Sequence, residues 1–346
     1  MSEHPRIGSS QYPASAEGRR PAESNAKITR RSMLPAPLLL LGSGSARAQR
    51  GWPARPIRIV CPYAPAGGSD YVARLLAPRA AERLGQGIVV ENRTGGGGTL
   101  GAAVVARAEP DGYTLLWDGF PHVVNSLLVR SLPFDYAAFA PITLSVIFPV
   151  TVAVKANGPY MDIAAFIAGA RARPGSISAG HPANASTGRM LLERLRLLTG
   201  AQLNIVPYRG AGDAARDLAA GTLDSAMLSV STVAQLEEAG RARILAVATT
   251  ERVPIRPNVP TLIEAGVPVA MSEMGGLLAP AGTPEPILDQ LNGAFVSALA
   301  DADVRARLDQ GAILPVGSTR LEFGTWITRT RAEVADLVRE AGIQVE

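Results

Sequence analysis

Between Cys61 and Leu76 the chain reads CPYAPAGGSDYVARLL. A short apolar strand gives way to a Pro- and Gly-containing loop, and an amphipathic helix begins near Ser69 or Asp70. A helix starting behind such a loop leaves backbone N–H groups unsatisfied at the positive end of its dipole. That is a seat for an anion, and it binds without making or breaking a bond. Residues 178–195, SAGHPANASTGRMLLERL, repeat the design, with Ser186 or Thr187 as helix cap. Two such loops can hold one anion from opposite sides; singly, each is also an ordinary strand-to-helix turn. His181 in the second loop is either a further donor to a carboxylate or a surface imidazole. Asp70 either caps its helix or touches a ligand. Arg209, in Tyr208-Arg209-Gly210, has the fork that grips a carboxylate bidentately, or is a solvated arginine.

Other chemistries lack parts. Gly96-x-Gly98-x-x-Gly101 fits a dinucleotide fingerprint, follows a strand and opens a helix, and Asp118 stands near where a ribose-binding acid would be. Glu91 to Thr94 separate strand from glycines, too long for that tight turn, so a Gly loop beside a cleft is the better reading and no cofactor is expected. No G-x-S-x-G occurs, and no His, Cys and Asp fall at metal-ligand spacing. Cys61 is the only cysteine, so no internal disulfide forms, and its place in an apolar strand makes it a small buried hydrophobe.

The elements that must position these loops alternate. Strands are predicted at 57–63, 87–92, 113–117, 142–154, 176–180, 204–208, 224–229 and 243–249. Helices are predicted at 69–85 (kinked at Pro78), from the Gly run to Ala108, and at 162–172, 187–199, 211–220 and 232–239. The remainder, 284–346, is mostly helical, with segments near 285–300, 301–310, 319–329 and 330–341. This is an α/β pattern of parallel sheets with crossover helices. The run 142–154 exceeds an ordinary strand and reads as a strand crossing between two domains, with a return crossing near Gly275 to Ala279. Residues 49–150 and 272–346 then form one domain and 151–271 the other, with ligand in the cleft between them.

The chain has 346 residues and a formal net charge of +4. Residues 1–48 carry seven of the 34 basic and three of the 30 acidic residues, leaving 27 of each beyond. The folded part is therefore neutral, without the basic stripe of a nucleic-acid binder. Residues 1–48 read as an export signal after a polar, disordered N-terminal extension: Arg30 and Arg31, an apolar stretch from Met33 to Leu41, and an A-x-A cleavage site at Ala46-Arg47-Ala48. Thr29-Arg30-Arg31-Ser32-Met33-Leu34 also resembles a twin-arginine signal; a secretory signal with two arginines is the other reading. A periplasmic protein follows in either case.

Several blocks, in order, resemble one family. They are WPARPIRIVCPYAPAGGSDYVARLLA, GIVVENRTGGGGTLGAAVVARAEPDGYTLL, LPFDYAAFAPIT, VPYRGAGDAARDLAAGTLD, NVPTLIEAGVP and LLAPAGTPEPILDQLN. The chain is similar over nearly all of 52–346 to the periplasmic solute-binding proteins of tripartite tricarboxylate transporters, the Bug receptors. The resemblance implies a two-domain periplasmic-binding-protein fold (type II, venus-flytrap) with a hinge of crossing strands. It implies no catalysis and no metal, but a monomeric receptor that captures a small carboxylate and delivers it to integral membrane subunits. By match, the first loop holds a ligand carboxylate through Ala64, Ala66, Gly67, Gly68 and Ser69, with Asp70 next and Tyr63 as the aromatic lining the cleft. The second loop contributes His181, Asn184, Ala185, Ser186 and Thr187, Tyr208 follows at the later strand end, and Ser229 falls where the family often has Asn or Asp. Asn184 and Ser186 keep the family pattern; His181, two alanines and Arg189 depart from it, which points to altered specificity. Mono-, di- and tricarboxylates, amino acids and aromatic acids all remain open as ligands. An α/β enzyme using a nucleotide at the Gly loop, or a receptor feeding a signalling partner, are the alternatives.

Overall fold

Two mixed sheets, each flanked by helices, make up the computed structural model, which describes residues 51–344. The export signal expected at 1–48 lies outside the described residues. Residues 51–344 fall within one compact unit.

The first strand, β1 (Ile57–Cys61), is apolar and almost fully buried, and leads through the first loop into α1 (Gly68–Leu84). Helix α1 ends at Gly85, whose φ of 70° is the left-handed conformation that glycine adopts freely. It runs on through Pro78 as one helix. Next come β2 (Ile88–Asn92), the Gly run, α2 (Thr99–Ala106), β3 (Thr114–Asp118) and α3 (Pro121–Leu128). Helix α3 was not anticipated, although Pro121 at its first position is a good helix opener.

The long apolar run is two strands. β4 (Phe139–Pro149) belongs to one sheet and β5 (Thr151–Lys155) to the other, with Val150 between them. The second sheet continues through α4 (Ile163–Ala172), β6 (Ser178–His181), α5 (Thr187–Thr199), β7 (Asn204–Pro207), α6 (Ala211–Ala220), β8 (Ser225–Ala226), α7 (Val230–Glu238) and β9 (Ala242–Val247). The chain returns to the first sheet as β10 (Ser272–Pro280), then α8 (Glu285–Leu299), α9 (Ala302–Gln310), β11 (Leu314–Pro315) and α10 (Arg320–Ala341).

Strand order is β11-β4-β10-β3-β1-β2 in the larger sheet and β7-β6-β8-β5-β9 in the smaller. Neither is wholly parallel, contrary to the expectation from alternation. β10 pairs antiparallel with both β3 and β4, and β5 pairs antiparallel with β8 and β9. The departure comes from the strands at the crossings, which run outward and back. The return crossing also lies earlier than Gly275. The Ala248 N–H donates to the Val150 carbonyl at 2.8 Å, and the Met271 N–H to the Ala248 carbonyl at 2.7 Å, so the two passages lie side by side there. Gly275 and Gly276 are instead packed inside β10: a Cβ would come within 2.8 Å of Trp117 at the first and 2.4 Å of Phe323 at the second.

The last helix, expected as two segments, is one. Thr319 and Glu322 form a capping box at its start, and nothing from 320 to 341 breaks it. Helix α10 packs with α3 and α5, burying Phe120, Val123, Leu128, Met190, Val334 and Leu337 in one cluster that links elements of both sheets.

Candidate functional site: two strand-to-helix loops

At the first loop, α1 has Gly67 as its N-cap, and no side chain caps it. The first helical bond is from the Tyr71 N–H to the Gly67 carbonyl, at 2.8 Å. The N–H groups of Gly68, Ser69 and Asp70 therefore have no intrahelical acceptor. Gly68 is exposed, and a Cβ there would lie 3.3 Å from the Phe148 ring on β4, two residues before Val150.

The other residues matched to this loop are engaged within it. The Ala66 N–H donates to Asp70 Oδ2 at 2.9 Å, and the Gly67 N–H to the Ala64 carbonyl at 3.2 Å. Asp70 Oδ1 accepts from Arg74 Nε at 2.9 Å and Asn92 Nδ2 at 2.8 Å. Burial opposes the Asp70 charge, but the bonds from Arg74, Asn92 and Ala66 outweigh it and hold the carboxyl below its usual range. Asp70 thus braces the loop from inside. It also offsets the strain at Ala66, whose φ of 63° is uncommon for alanine.

Tyr63 points to the end of β3. Its hydroxyl donates to Asp118 Oδ1 at 2.7 Å and accepts from the Gly119 N–H at 2.9 Å. Asp118 Oδ2 faces His122 Nδ1 at 3.0 Å. Asp118 is buried with both oxygens used inside the protein, so it is not the ribose-binding acid of a dinucleotide site. Cys61 is buried, and burial pushes its thiol up to about 11, so it is an inert hydrophobe.

In the second loop Ser186 is the N-cap of α5, and its Oγ accepts from the Arg189 N–H at 3.2 Å. The same hydroxyl donates to the Ala183 carbonyl at 2.6 Å. His181 is fully buried, with Nδ1 2.9 Å from that carbonyl and Nε2 without a partner. Burial pushes its pKa down to about 4, so it stands neutral and is no surface imidazole. Tyr208 turns its hydroxyl to Asp217 at 2.8 Å. Ser229 caps α7 beside the crossing, bridged to Val150, with its Oγ 2.8 Å from the hydroxyls of Ser231 and Thr232.

One carboxylate joins the two loop regions. Glu273, on β10, accepts the Phe120 N–H at 2.6 Å and the Met274 N–H at 3.1 Å on Oε1. Its Oε2 accepts the Thr187 hydroxyl, at the first turn of α5, at 3.1 Å. A Cβ on Gly119 would lie 2.9 Å from the Tyr63 hydroxyl and 3.0 Å from Glu273 Oε1, so both groups close on this glycine. Glu273 was missed from sequence, although an acid in the apolar run AMSEMGGLLAP is a signal of its own.

A cavity of about 930 Å³ is lined by Gly96, Gly97 and Asn125 from one side and by Asn184, Arg189 and Arg209 from the other; Tyr63, Thr187 and Glu273 do not line it. Ala185 and Tyr208 also line it; Gly67, Gly68 and Ser69 do not. Gly96 and Gly97, with φ of 56° and 61°, form a left-handed turn that Asn125 Nδ2 pins at the Gly97 carbonyl, 3.1 Å away. The Gly run is therefore a fixed wall of the cavity.

Two lobes, crossing strands and a strand-to-helix loop at their junction define a solute-binding receptor. Residues 72–343 match the profile described as the tripartite tricarboxylate transporter family receptor. Protein BugT of Bordetella pertussis is 33% identical over 300 residues, covering 85% of this chain and 92% of BugT. A Rhodopseudomonas palustris protein solved with adipate is 32% identical, with a TM-score of 0.78 over 85% of this chain and 99% of that one. MatC from Rhodopseudomonas palustris, with bound malate, is 31% identical, with a TM-score of 0.73 over 83% and 100%. The periplasmic binding protein BugD is 29% identical, with a TM-score of 0.75 over 85% and 99%. This chain belongs to the tripartite tricarboxylate transporter receptor family, whose members are periplasmic solute-binding proteins and not enzymes.

Proposed function

We propose that this chain is an exported receptor that captures a small organic carboxylate between its lobes and delivers it to the membrane subunits of a tripartite tricarboxylate-type transporter. The observation that carries this is the trio of amides at Gly68, Ser69 and Asp70, left without helical partners beside the crossing strands. The bound adipate and malate of two similar proteins support the ligand class. In this reading residues 49–150 and 272–346 form one lobe and 151–271 the other, and the receptor is a monomer exported on residues 1–48 with cleavage near Ala48. The ligand carboxylate sits on the first loop, with Tyr63 behind it and Ser186, Thr187 and Ser229 approaching from the second lobe. Closure follows because the closed state makes contacts that the open state lacks.

Thermal unfolding of the purified mature protein against a panel of carboxylates and against NAD and NADP tests this. An acid at a hundredfold excess over its Kd raises stability by about 2.7 kcal/mol. Stabilisation by the nucleotides alone would contradict the proposal.

A further inference from the structure

The site as first read had two anion seats, one at each helix start. The structure differs at the second. There the chain's own Glu273 carboxylate stands at the first turn of α5, 3.1 Å from the Thr187 hydroxyl, held from behind by the N–H groups of Phe120 and Met274. Resting on the receptor reading above, we propose that Glu273 is a specificity-determining residue that excludes a ligand carboxylate from the α5 end of the site. The protein then selects a small acid with one carboxylate, seated on the first loop, whose other end is neutral or a hydrogen-bond donor.

The exclusion is electrostatic. Like charges brought together away from water cost several kcal/mol. Glu273 cannot move aside without giving up three donors. The Asp118 carboxylate on β3 makes the exclusion stronger; the other titratable groups there, the neutral Tyr63 phenol on the first loop and His122 of α3, both lie against Asp118. From α5 the facing group is the Thr187 hydroxyl, which has no charge. Both Asp118 and Glu273 raise the Tyr63 pKa, after burial as the main cause. Arg209 offers a cation in the cavity beside the Gly run, which Glu273 does not line, and it is exposed, where an ion pair contributes little.

Matched pairs of acids differing only in the second carboxylate test this by calorimetry: butyrate with succinate, 2-hydroxybutyrate with malate, and hexanoate with adipate. At pH 8 the monoacid of a bound pair is expected to bind at least tenfold more tightly than its diacid. Glu273→Gln keeps the shape and removes the charge, and is expected to close that gap at least tenfold by tightening the diacid. Burial raises the Glu273 pKa to about 7, so in the unmodified protein the gap narrows from pH 8 to pH 6; this arm stands even if Glu273→Gln does not fold. A diacid bound as tightly as its monoacid at pH 8, or a gap unchanged by Glu273→Gln, overturns the role of Glu273 and leaves the receptor reading intact. No binding of any acid by any form overturns the receptor reading and this inference with it.

Discussion

A buried group and a half-buried one near the loops respond to pH in opposite directions. His181 is held neutral, with its pKa at about 4 against 6.5 for the ordinary group. Its contribution to stability is complete above about pH 6.5 and is lost as pH falls from there towards 4, on the order of 3 kcal/mol in all. Glu273 has its pKa raised from 4.5 to about 7. Its contribution is complete below about pH 4.5 and is lost as pH rises through 7. The two slopes oppose each other between pH 4.5 and 6.5, so the unmodified protein should show little net dependence from them there. Urea unfolding at pH 4 to 8 separates them. Relative to the unmodified protein, His181→Gln should gain stability on acidification and Glu273→Gln on alkalinisation. Parallel curves for all three would show that neither side chain is buried as described.

The loops and the helices behind them carry the next expectations. Asp70 braces the first loop through three donors, and Asp70→Ala leaves the Ala66 amide without its acceptor and Asn92 with only the Tyr63 carbonyl. A loss of about 2 kcal/mol is expected, with weakened acid binding, measured by denaturant unfolding and calorimetry; unchanged binding would show that the brace does not shape the seat. Gly188 lies one residue inside α5, where a Cβ would meet the Met227 carbonyl at 2.5 Å. Gly188→Ala should therefore displace the second loop and cost about 1–3 kcal/mol.

The apolar alternation made most strands and helices of both sheets legible, because burial on a sheet face imposes its own pattern. It was silent on direction: antiparallel pairing of β10 depends on where the chain crosses back, which no local residue encodes. It was also silent on partners across the junction. Glu273 and Thr187 are 86 residues apart, and only the fold brings them together. Asp70 was readable as a helix-start acid, but not its turn back onto Ala66.

In the proposed receptor the two lobes are held in register at the crossings. Val150, Ala248 and Met271 lie side by side at the crossings, so the proposed closure would move both passages together. Beyond them, Met190 of α5 is buried among α3 and α10 side chains. Met190→Ala removes an apolar link between elements of the two sheets. The expected result is a loss of about 2–5 kcal/mol, a larger radius of gyration by small-angle X-ray scattering, and weaker acid binding. A variant equally compact and equally tight would show that the cluster takes no part in closure.

The seat itself is tested most directly by a crystal structure of the protein with an acid identified in the thermal panel. A carboxylate oxygen is expected within hydrogen-bond distance of the Gly68, Ser69 or Asp70 amides, with α5 facing the ligand's uncharged end. An acid found elsewhere, with those three amides turned to solvent or packed against protein, would contradict it.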